Sequence, residues 1–296
     1  MVMKTFLKKI LYKIGYQLIK IPKFTGNEDL FRVLNFEVSQ EKKVFLINGL
    51  KFLENFKKNK NATFYNSGND FIIEIENAKF SVNSWEELLI LNEVFIDGDY
   101  NIQMKEDFTL FDIGMNVGIT SLYFAKEKFC KKVFAFEPFL PTRRLAEKNF
   151  LINSYSNKIE VNNYGLGFPE RILEIDYSEE IKGSIGVNST LKQSNVKYQK
   201  EILEIRDVAH VFKEKAKLAI GKIVVKMDCE GAEYEILERL KETGDIYTPS
   251  FYMIEWHDRG SDALKKIFNE QCFKILSFKD ASRGVGMLYV YNTKAL

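Results

Sequence analysis

Two hydrophobic patterns alternate along the second half of the chain. Short apolar runs, typical of strands buried on both faces, are followed by segments with apolar residues at helical spacing. This alternation predicts a mostly parallel sheet with helices on both faces. The predicted strands are 108–113, 132–137, 158–163, 222–228, 250–256, 273–278 and 286–292. The predicted helices are 118–128, 141–153, 231–241 and 261–270.

The last two predicted strands are connected differently from the others. The loop between them contains Lys279 to Gly284 and is too short for a crossover helix, so the two strands should pair antiparallel. Residues 168–220 have no clear pattern, and we expect one more strand and one helix there. The fold class is therefore α/β, and we expect this α/β domain to extend over residues 108–296.

Residues 25–107 are predicted to form an α+β extension ahead of that domain. Residues 27–60 have helical spacing, and the turn sequence from Asn66 to Asp70 lies between two apolar runs, which predicts a hairpin. A helix is expected from Trp85 to Phe95. Ser84 and Glu87 have the spacing of a capping box at its start.

Residues 1–24 contain six lysines and no acidic residue, with apolar residues at helical spacing. Lysines interrupt every apolar run, so the segment is neither a transmembrane span nor a signal peptide. Two interpretations remain open. A basic amphipathic helix can lie on an anionic membrane surface, or the helix can dock on the core with its lysines in solvent.

Composition limits the possible partners. The chain has 296 residues, 46% hydrophobic and 28% charged, which is typical of a folded soluble protein. The net charge of +2 gives no whole-protein argument for nucleic acid, so none is expected as a partner. Three cysteines lack paired spacing, which favours a reduced, cytoplasmic location. With only two histidines and no paired Cys/His spacing, a structural zinc site is not expected, and no metal ligand is assigned.

The run from Thr109 to Gly118 predicts a buried strand, a tight loop and a helix that begins at Gly118. A second apolar strand ends in Glu137. Ligands of open α/β sheets bind beyond the carboxyl ends of such strands. The loop is D-x-G-x-x-x-G, however, and not the G-x-G-x-x-G of pyrophosphate sites. Asp112 would repel a phosphate and suits a cationic ligand, and S-adenosylmethionine, with its sulfonium and ammonium groups, fits that description.

Three segments in this order resemble the FkbM family of S-adenosylmethionine-dependent methyltransferases. FDIGMNVG at 111–118 resembles the family's D-I-G-A-N-x-G, AFEP at 135–138 its F-E-P, and VKMDCEGAE at 225–233 its K-[IM]-D-x-E-G-x-E. The resemblance covers about residues 86–291 and includes the segment 93–100. It implies a doubly wound, Rossmann-like sheet of seven strands with a terminal antiparallel strand. Met115 stands where the family usually has alanine.

The resemblance also implies which residues bind the cofactor. Gly114 would allow close backbone approach, Asp112 would favour the cofactor's ammonium group, and Glu137 would accept the ribose hydroxyls. Alternatively, Asp112 is a turn cap and Glu137 an exposed acid. Gly165 and Leu166 would contact the adenine or form a plain turn. The complete expected set is Asp112, Gly114, Asn116, Gly118, Glu137, Pro138, Gly165 and Leu166.

Four residues are the expected catalytic set: Asp228, Glu230, Glu255 and His257. The acids after the fourth strand could deprotonate a substrate hydroxyl, bind a cation or cap the next helix. His257 ends the fifth strand on the same side as Glu255, and an ordinary histidine pKa would suit a general base. The alternative is a half-exposed loop histidine. Lys226, on a buried strand, should either reach the sheet edge or pair with an acid.

These observations predict a methyltransferase that acts on a hydroxyl oxygen. The family implies O-methylation of a sugar, a glycan or a small metabolite. Membrane contact through residues 1–24 would place the enzyme peripherally on the inner membrane face. Two alternatives stay open: a cofactor-binding or membrane-associated partner protein without catalysis, and a nicotinamide-dependent oxidoreductase. The missing G-x-G-x-x-G and the presence of Asp112 weigh against the oxidoreductase.

Overall fold

The computed structural model describes residues 26–178, 182, 185, 197–257, 259–271, 273–278 and 285–294. Residues 1–24, Cys272 and the loop 279–284 lie outside the described residues, so the two interpretations of the basic segment stay predictions. Within the described part, no helix is long and apolar enough to cross a membrane.

The extension begins with three helices and a small antiparallel sheet. The helices are α1 (Asn27–Leu34), α2 (Gln40–Asn48) and α3 (Leu50–Lys60). The strands are β1 (Thr63–Ser67), β2 (Asp70–Ile75) and β3 (Ala78–Val82), and β2 pairs with both neighbours. Helix α4 (Trp85–Asn92) follows and continues as a π-helical turn, Glu93–Asp97. The predicted hairpin is confirmed, and β3 is an additional strand.

The start of α4 departs from the predicted capping box. Ser84 Oγ accepts the backbone N–H of Glu87 at 3.3 Å, as expected. The carboxylate of Glu87, however, accepts the N–H of Asn83 at 2.6 Å, one residue before the cap. Glu87 also pairs with Lys182 at 2.9 Å, and this second partner draws its side chain away from the box geometry.

Strands and helices then alternate to the end of the chain. The strands are β4 (Phe108–Ile113), β5 (Cys130–Phe136), β6 (Ile159–Asn162), β7 (Gly165–Gly167), β8 (Arg171–Tyr177), β9 (Gln199–Asp207), β10 (Lys222–Met227), β11 (Phe251–His257), β12 (Lys274–Phe278) and β13 (Val285–Tyr291). The helices are α5 (Ile119–Ala125), α6 (Leu140–Leu151), α7 (Val208–Ala216), α8 (Glu233–Thr243) and α9 (Asp262–Glu270). Each of the seven predicted strands and four predicted helices of the domain is present.

The main sheet has the strand order β12-β13-β11-β10-β4-β5-β6. Strands β11, β10, β4, β5 and β6 run parallel, and β13 pairs antiparallel with both β11 and β12. The predicted α/β class and antiparallel end are confirmed. From β4 the chain winds outward through β5 and β6, and later through β10 and β11 on the other side. The strand order therefore reverses between β4 and β10, where ligands bind in this architecture.

The segment 168–220 contains more structure than expected. Both β8 and β9 belong to it, followed by α7, where one strand and one helix were predicted. Strand β9 pairs antiparallel with β8 and parallel with β7, so the three form a second small sheet. Gly165 and Leu166 lie in β7, and the plain-turn alternative is therefore wrong.

Side chains on the two faces of the main sheet enter different hydrophobic clusters. One cluster includes Phe111 and Phe212, whose ring centroids lie 4.8 Å apart. The other continues into the extension, where Phe95 packs edge-on against Tyr123 of α5 at 5.4 Å. The extension and one face of the sheet thus share one core.

Candidate functional site

A pocket opens where β4, β5 and β10 end, at the point where the strand order reverses. Loops from all three strands contribute to its wall. Apolar side chains, among them Phe139 and Ile113, provide part of the lining. Of the residues predicted from the sequence, the pocket is lined by Gly114, Asn116, Glu137, Pro138, Gly165, Leu166, Asp228 and Glu230.

The loop after β4 lies against the loop after β10. Gly114 has φ 76°, and a Cβ at this position would lie 1.8 Å from the backbone oxygen of Asp228. Only glycine tolerates both the backbone angle and this approach. The N–H groups of Gly114 and Met115 donate to the carbonyl of Phe136 at 3.1 and 3.0 Å, which ties the loop to the end of β5.

Glu137 is a buried carboxylate on the pocket wall, with 5% of its surface exposed. Its two oxygens accept the backbone N–H groups of Asn116 at 3.1 Å and Phe139 at 3.0 Å. Burial raises its pKa to about 7, although both hydrogen bonds act in the opposite direction. The alternative of an exposed strand-end acid is therefore wrong.

Asp112, which was expected among the cofactor-binding residues, lies behind the pocket wall. It is fully buried and is not among the residues that line the pocket. Its carboxylate accepts the hydroxyl of Ser121 at 2.6 Å and lies 3.2 Å from Lys226 Nζ. Lys226 also donates to the carbonyl of Gly114 at 2.5 Å. Lys226 therefore pairs with an acid, as one alternative predicted.

Gly118 likewise acts in packing and not at the pocket surface. It is the N-cap residue of α5 with φ 80°, so the predicted helix start is confirmed. A Cβ here would lie 2.5 Å from the ring of Phe150 on α6. Gly118 is thus packed between two helices and is not among the residues that line the pocket, and its cofactor contact stays a prediction.

A polar cluster borders the pocket at the ends of β10 and β11. His257 Nδ1 lies 3.0 Å from Glu233 Oε1, which also accepts the N–H of Cys229 at 3.0 Å. On the other side of the ring, Nε2 lies 3.9 Å from Asp228 Oδ1 and 3.6 Å from Glu230 Oε1. His257 is only 7% exposed, so the half-exposed alternative is wrong.

These charges shift the pKa of His257. Burial lowers the pKa, but the hydrogen bond to Glu233 and the charges of Asp228 and Glu230 outweigh burial and raise it to about 10. In the protein without ligands the ring is therefore an imidazolium at neutral pH. The expectation of an ordinary histidine pKa was wrong because it took no account of three neighbouring carboxylates.

The fourth predicted catalytic residue, Glu255, is held by a residue from the extension. The hydroxyl of Tyr100 donates to Glu255 Oε2 at 3.2 Å. Burial and the charge of Asp228 raise the pKa of Glu255 above its usual range. Burial also raises the pKa of Glu230, to about 8.

Sequence reasoning missed two residues that shape this site. Tyr100 lies in the segment 93–100, whose family resemblance was a signal that could have drawn attention to it. Glu233 is the last acid of the segment VKMDCEGAE, a signal that could have included it, but it was left out of the expected set. Neither residue has a local pattern that reveals its partner in the fold.

A family model described as "Methyltransferase FkbM domain" matches residues 112–278, more than half of the chain. The chain belongs to the FkbM methyltransferase family. The match includes both the pocket and the polar cluster. S-adenosylmethionine, the cofactor of this family, is therefore the ligand against which the pocket must be tested.

Individual relatives are more distant. The chain is 24% identical over 191 residues to methyltransferase sdnD of Sordaria araneosa, which covers 55% of this chain and 72% of that protein. It is 36% identical over 93 residues to the AMB antimetabolite synthetase AmbE of Pseudomonas aeruginosa, covering 30% of this chain and 4% of the synthetase. A solved FkbM methyltransferase from Methylobacillus flagellatus KT is similar with a TM-score of 0.44 and 14% identity, over 89% of this chain and 58% of that one. The chain thus spans only part of the length of the synthetase and of the solved structure.

The pocket residues of this FkbM domain fit the cofactor's chemistry. Glu137 presents a buried carboxylate, which can accept hydrogen bonds from a ribose. The side-chain oxygen of Asn116 is buried without a hydrogen-bond partner among the described residues, and it lines the same pocket. Such an atom is costly unless a ligand or water satisfies it. Phe139 and Leu166 offer apolar surface for an aromatic base.

Proposed function

We propose that this protein is an S-adenosylmethionine-dependent O-methyltransferase whose acceptor is a hydroxyl group of a sugar, a glycan or a small metabolite. One observation carries the proposal. Asp228 and Glu230 line the cofactor pocket and also belong to the carboxylate–imidazole cluster. A methyl donor bound in this pocket would therefore lie beside groups that can attract the proton of a hydroxyl.

The cofactor side of the site is built from the loops after β4 and β5. Glu137 and Asn116 would hold the polar groups of the nucleoside, and Leu166 would pack against its base. When bound, S-adenosylmethionine supplies an electrophilic methyl group. Lys226 pairs with Asp112 and donates to the carbonyl of Gly114. The role of this pair is therefore to hold the Gly114 loop in position.

The acceptor side is built from β10, β11 and the extension. Transfer to oxygen needs the hydroxyl in line with the donor and a group that removes its proton. Asp228, Glu230, Glu255 and His257 would orient the hydroxyl, and a carboxylate of this set would receive that proton. Tyr100 fixes one carboxylate of this set, and it brings the extension to the edge of the acceptor site.

Binding of the cofactor product tests the first half of the proposal. In calorimetric titrations we expect S-adenosylhomocysteine to bind the full chain and NADH not to bind. Heat with NADH and none with S-adenosylhomocysteine would favour the oxidoreductase alternative instead.

Mass spectrometry of products tests the second half. Glycans and lipid-linked sugars from cells with and without the protein should differ by the mass of one methyl group. Purified protein should transfer that methyl group to the acceptor so identified. Asp228→Ala and His257→Ala should abolish the mass difference, whereas Glu147→Ala, an exposed change on α6, should not. Cofactor binding without any methylated product would favour the non-catalytic alternative.

A further inference from the structure

The imidazole of His257 presents one nitrogen to two carboxylates without bonding to either. Its Nε2 lies 3.6 Å from Glu230 Oε1 and 3.9 Å from Asp228 Oδ1, and no described residue lies within hydrogen-bond distance of it. Hydrogen bonds to nitrogen are shorter, about 2.7–3.2 Å. Atoms that share one metal ion at about 2.0–2.2 Å each lie roughly 3–4 Å from one another. Both distances from Nε2 fall in that range, and one candidate ligand atom from each of the three side chains lies within 4.8 Å of the other two.

The other side of the ring supports the same interpretation. Nδ1 is occupied by Glu233 Oε1 at 3.0 Å, and Glu233 is fully buried and held by the N–H of Cys229. This contact fixes the orientation of the ring and leaves Nε2 directed at the carboxylates. Histidines that bind metals characteristically donate their second N–H to a carboxylate in this way. His257 as a whole is only 7% exposed, so protein groups surround most of the ring.

The two carboxylates remain accessible from the pocket. The side chains of Asp228 and Glu230 are 29% and 25% exposed, and both line it. Lys226 is the nearest competing cation, 3.6 Å from the other oxygen of Asp228. Its ammonium group is already held by Asp112 and by the carbonyl of Gly114. Beside Oδ1 of Asp228, the positive charge is that of the His257 imidazolium, which a bound cation would replace.

We propose that Asp228, Glu230 and His257 form a divalent-cation site with open positions facing the acceptor. Binding of the cation would displace the proton from Nε2 of the imidazolium, and this proton would leave to solvent. Two oxygens and one imidazole nitrogen suit cations such as Mn²⁺ or Zn²⁺. They do not suit Ca²⁺, which takes about six to eight oxygens. The further role, in which the cation binds the acceptor's hydroxyl oxygen and makes its proton easier to lose, rests on the function proposed above. The cation site itself does not.

Manganese binding to the full chain tests the site directly. The protein is treated with a chelator, dialysed and titrated with MnCl₂ alone, and free Mn²⁺ is followed by electron paramagnetic resonance. We expect one tight equivalent per chain, and spin-echo modulation from a directly bound imidazole nitrogen. His257→Gln should remove the nitrogen modulation and weaken binding at least about tenfold, and Glu233→Gln should weaken binding about 10–100-fold.

Two further variants control for misfolding and for non-specific binding of Mn²⁺. Glu230→Gln changes a partly exposed side chain and should also weaken Mn²⁺ binding at least about tenfold at an unchanged melting temperature. Glu238→Gln, an exposed change on α8, should leave binding as it is. Wild-type protein that binds S-adenosylhomocysteine but takes up no Mn²⁺, or takes it up without nitrogen modulation, would overturn the site.

The outcome for the cation and the outcome for methyl transfer can be separated. Nitrogen-coordinated Mn²⁺ in a protein that methylates no acceptor would support the site and contradict the proposed function. Methyl transfer at an unchanged rate in excess chelator would leave the function standing and overturn the cation's role at the acceptor.

Discussion

Lys226 is a buried cation, only 2% exposed, opposite the carboxylate of Asp112 on the neighbouring strand. Burial opposes its charge, but the charges of Asp112 and Asp228 prevail and raise its pKa above the usual value. The buried ion pair of Lys226 and Asp112 therefore supports the Gly114 loop. Removing one member of a buried pair leaves the other charge uncompensated.

We expect Lys226→Met to lower the free energy of unfolding by about 3–5 kcal/mol. Asp112→Asn should also destabilise the protein, and the double variant should be more stable than the sum of the two losses predicts. Urea unfolding of the four proteins measures this coupling. Strictly additive effects would show that the pair does not act as a unit.

Glu137 should make cofactor binding depend on pH. Its pKa of about 7 in the free protein means that it is partly protonated at neutral pH. A ribose hydroxyl donates to the ionised form, so binding below pH 7 releases a proton. The affinity for S-adenosylhomocysteine should therefore rise by up to about tenfold per pH unit below pH 7 and level off above it.

Calorimetry in two buffers with different ionisation enthalpies measures this proton release directly. In Glu137→Gln the pH dependence should disappear, and affinity should fall by about 10–100-fold through loss of a charged acceptor. Glu147→Gln, exposed on α6, is the matched control and should behave like wild type. A pH dependence that persists in Glu137→Gln would mean that another group titrates on binding.

At the scale of elements, the site depends on the close approach of the loops after β4 and β10. Gly114→Ala places a Cβ against the carbonyl of Asp228, so the loops must separate. We expect S-adenosylhomocysteine to bind more than about tenfold more weakly. The free energy of unfolding should fall by about 2 kcal/mol more than the positive φ at this position costs by itself. Gly244→Ala is the control for that angle, because its φ of 78° is nearly the same and its surroundings are open.

Urea unfolding and calorimetry of both variants separate the two effects. Gly244→Ala should lose only about 1 kcal/mol and keep its cofactor affinity. Equal losses in both variants would show that the backbone angle, and not the contact between the loops, is what matters at Gly114.

Asn149 of α6 and Asn153, two residues after that helix ends, attach the small sheet of the extension to the main domain. Asn153 pairs with both the N–H and the carbonyl of Lys79 on β3, at 2.9 and 2.8 Å. Asn149 accepts the N–H of Ser81 at 2.8 Å and donates to the carbonyl of Val117 in the cofactor loop at 3.0 Å. The side chains thereby replace a missing strand at the edge of β3.

Because only Asn149 reaches the cofactor loop, its loss should have two effects. Asn149→Ala and Asn153→Ala should each destabilise the protein by about 1–3 kcal/mol, since buried backbone groups lose partners. Only Asn149→Ala should also weaken S-adenosylhomocysteine binding. Thermal unfolding and calorimetry of the two variants test this, and equal affinities in both would refute a link between β3 and the pocket.

At the scale of the whole molecule, the shared core predicts a single cooperative transition. The cluster that contains Phe80 and Phe95 of the extension continues to Leu110 of β4 and Leu122 of α5. Calorimetric and van't Hoff enthalpies of unfolding should therefore agree. Phe95→Ala should lower the stability of the whole chain by about 3–5 kcal/mol without producing a second transition.

Phe31→Ala, at a half-exposed position on α1, is the control and should change stability little. Two resolved transitions in either the wild type or Phe95→Ala would mean that the extension unfolds independently. The predicted boundary at residue 108 would then divide the chain into two folding units.

Strands and helices with a clear period of apolar residues have nearly the ends predicted for them. Segments with a weak pattern were predicted less well. Strands β4 and β10 and helix α6 lie within one or two residues of their predicted ends, because buried strands and amphipathic helices have clear periods. Strands β8 and β9 were not both expected. They alternate between buried and exposed residues only in part, and their pairing partner β7 is three residues long.

The sequence by itself determined the strand–helix alternation, the glycine loop after β4 and the acids at the strand ends, because these depend on side-chain period and local turn chemistry. Only the tertiary structure decided which acid serves the pocket. Asp112 and Glu137 both follow apolar runs, but the register of β10 places Lys226 opposite Asp112 and neutralises it. Among the described residues, Glu137 accepts hydrogen bonds only from backbone N–H groups, and it lies on the pocket wall. The partners come from segments distant in the chain, so no local pattern distinguishes the two acids.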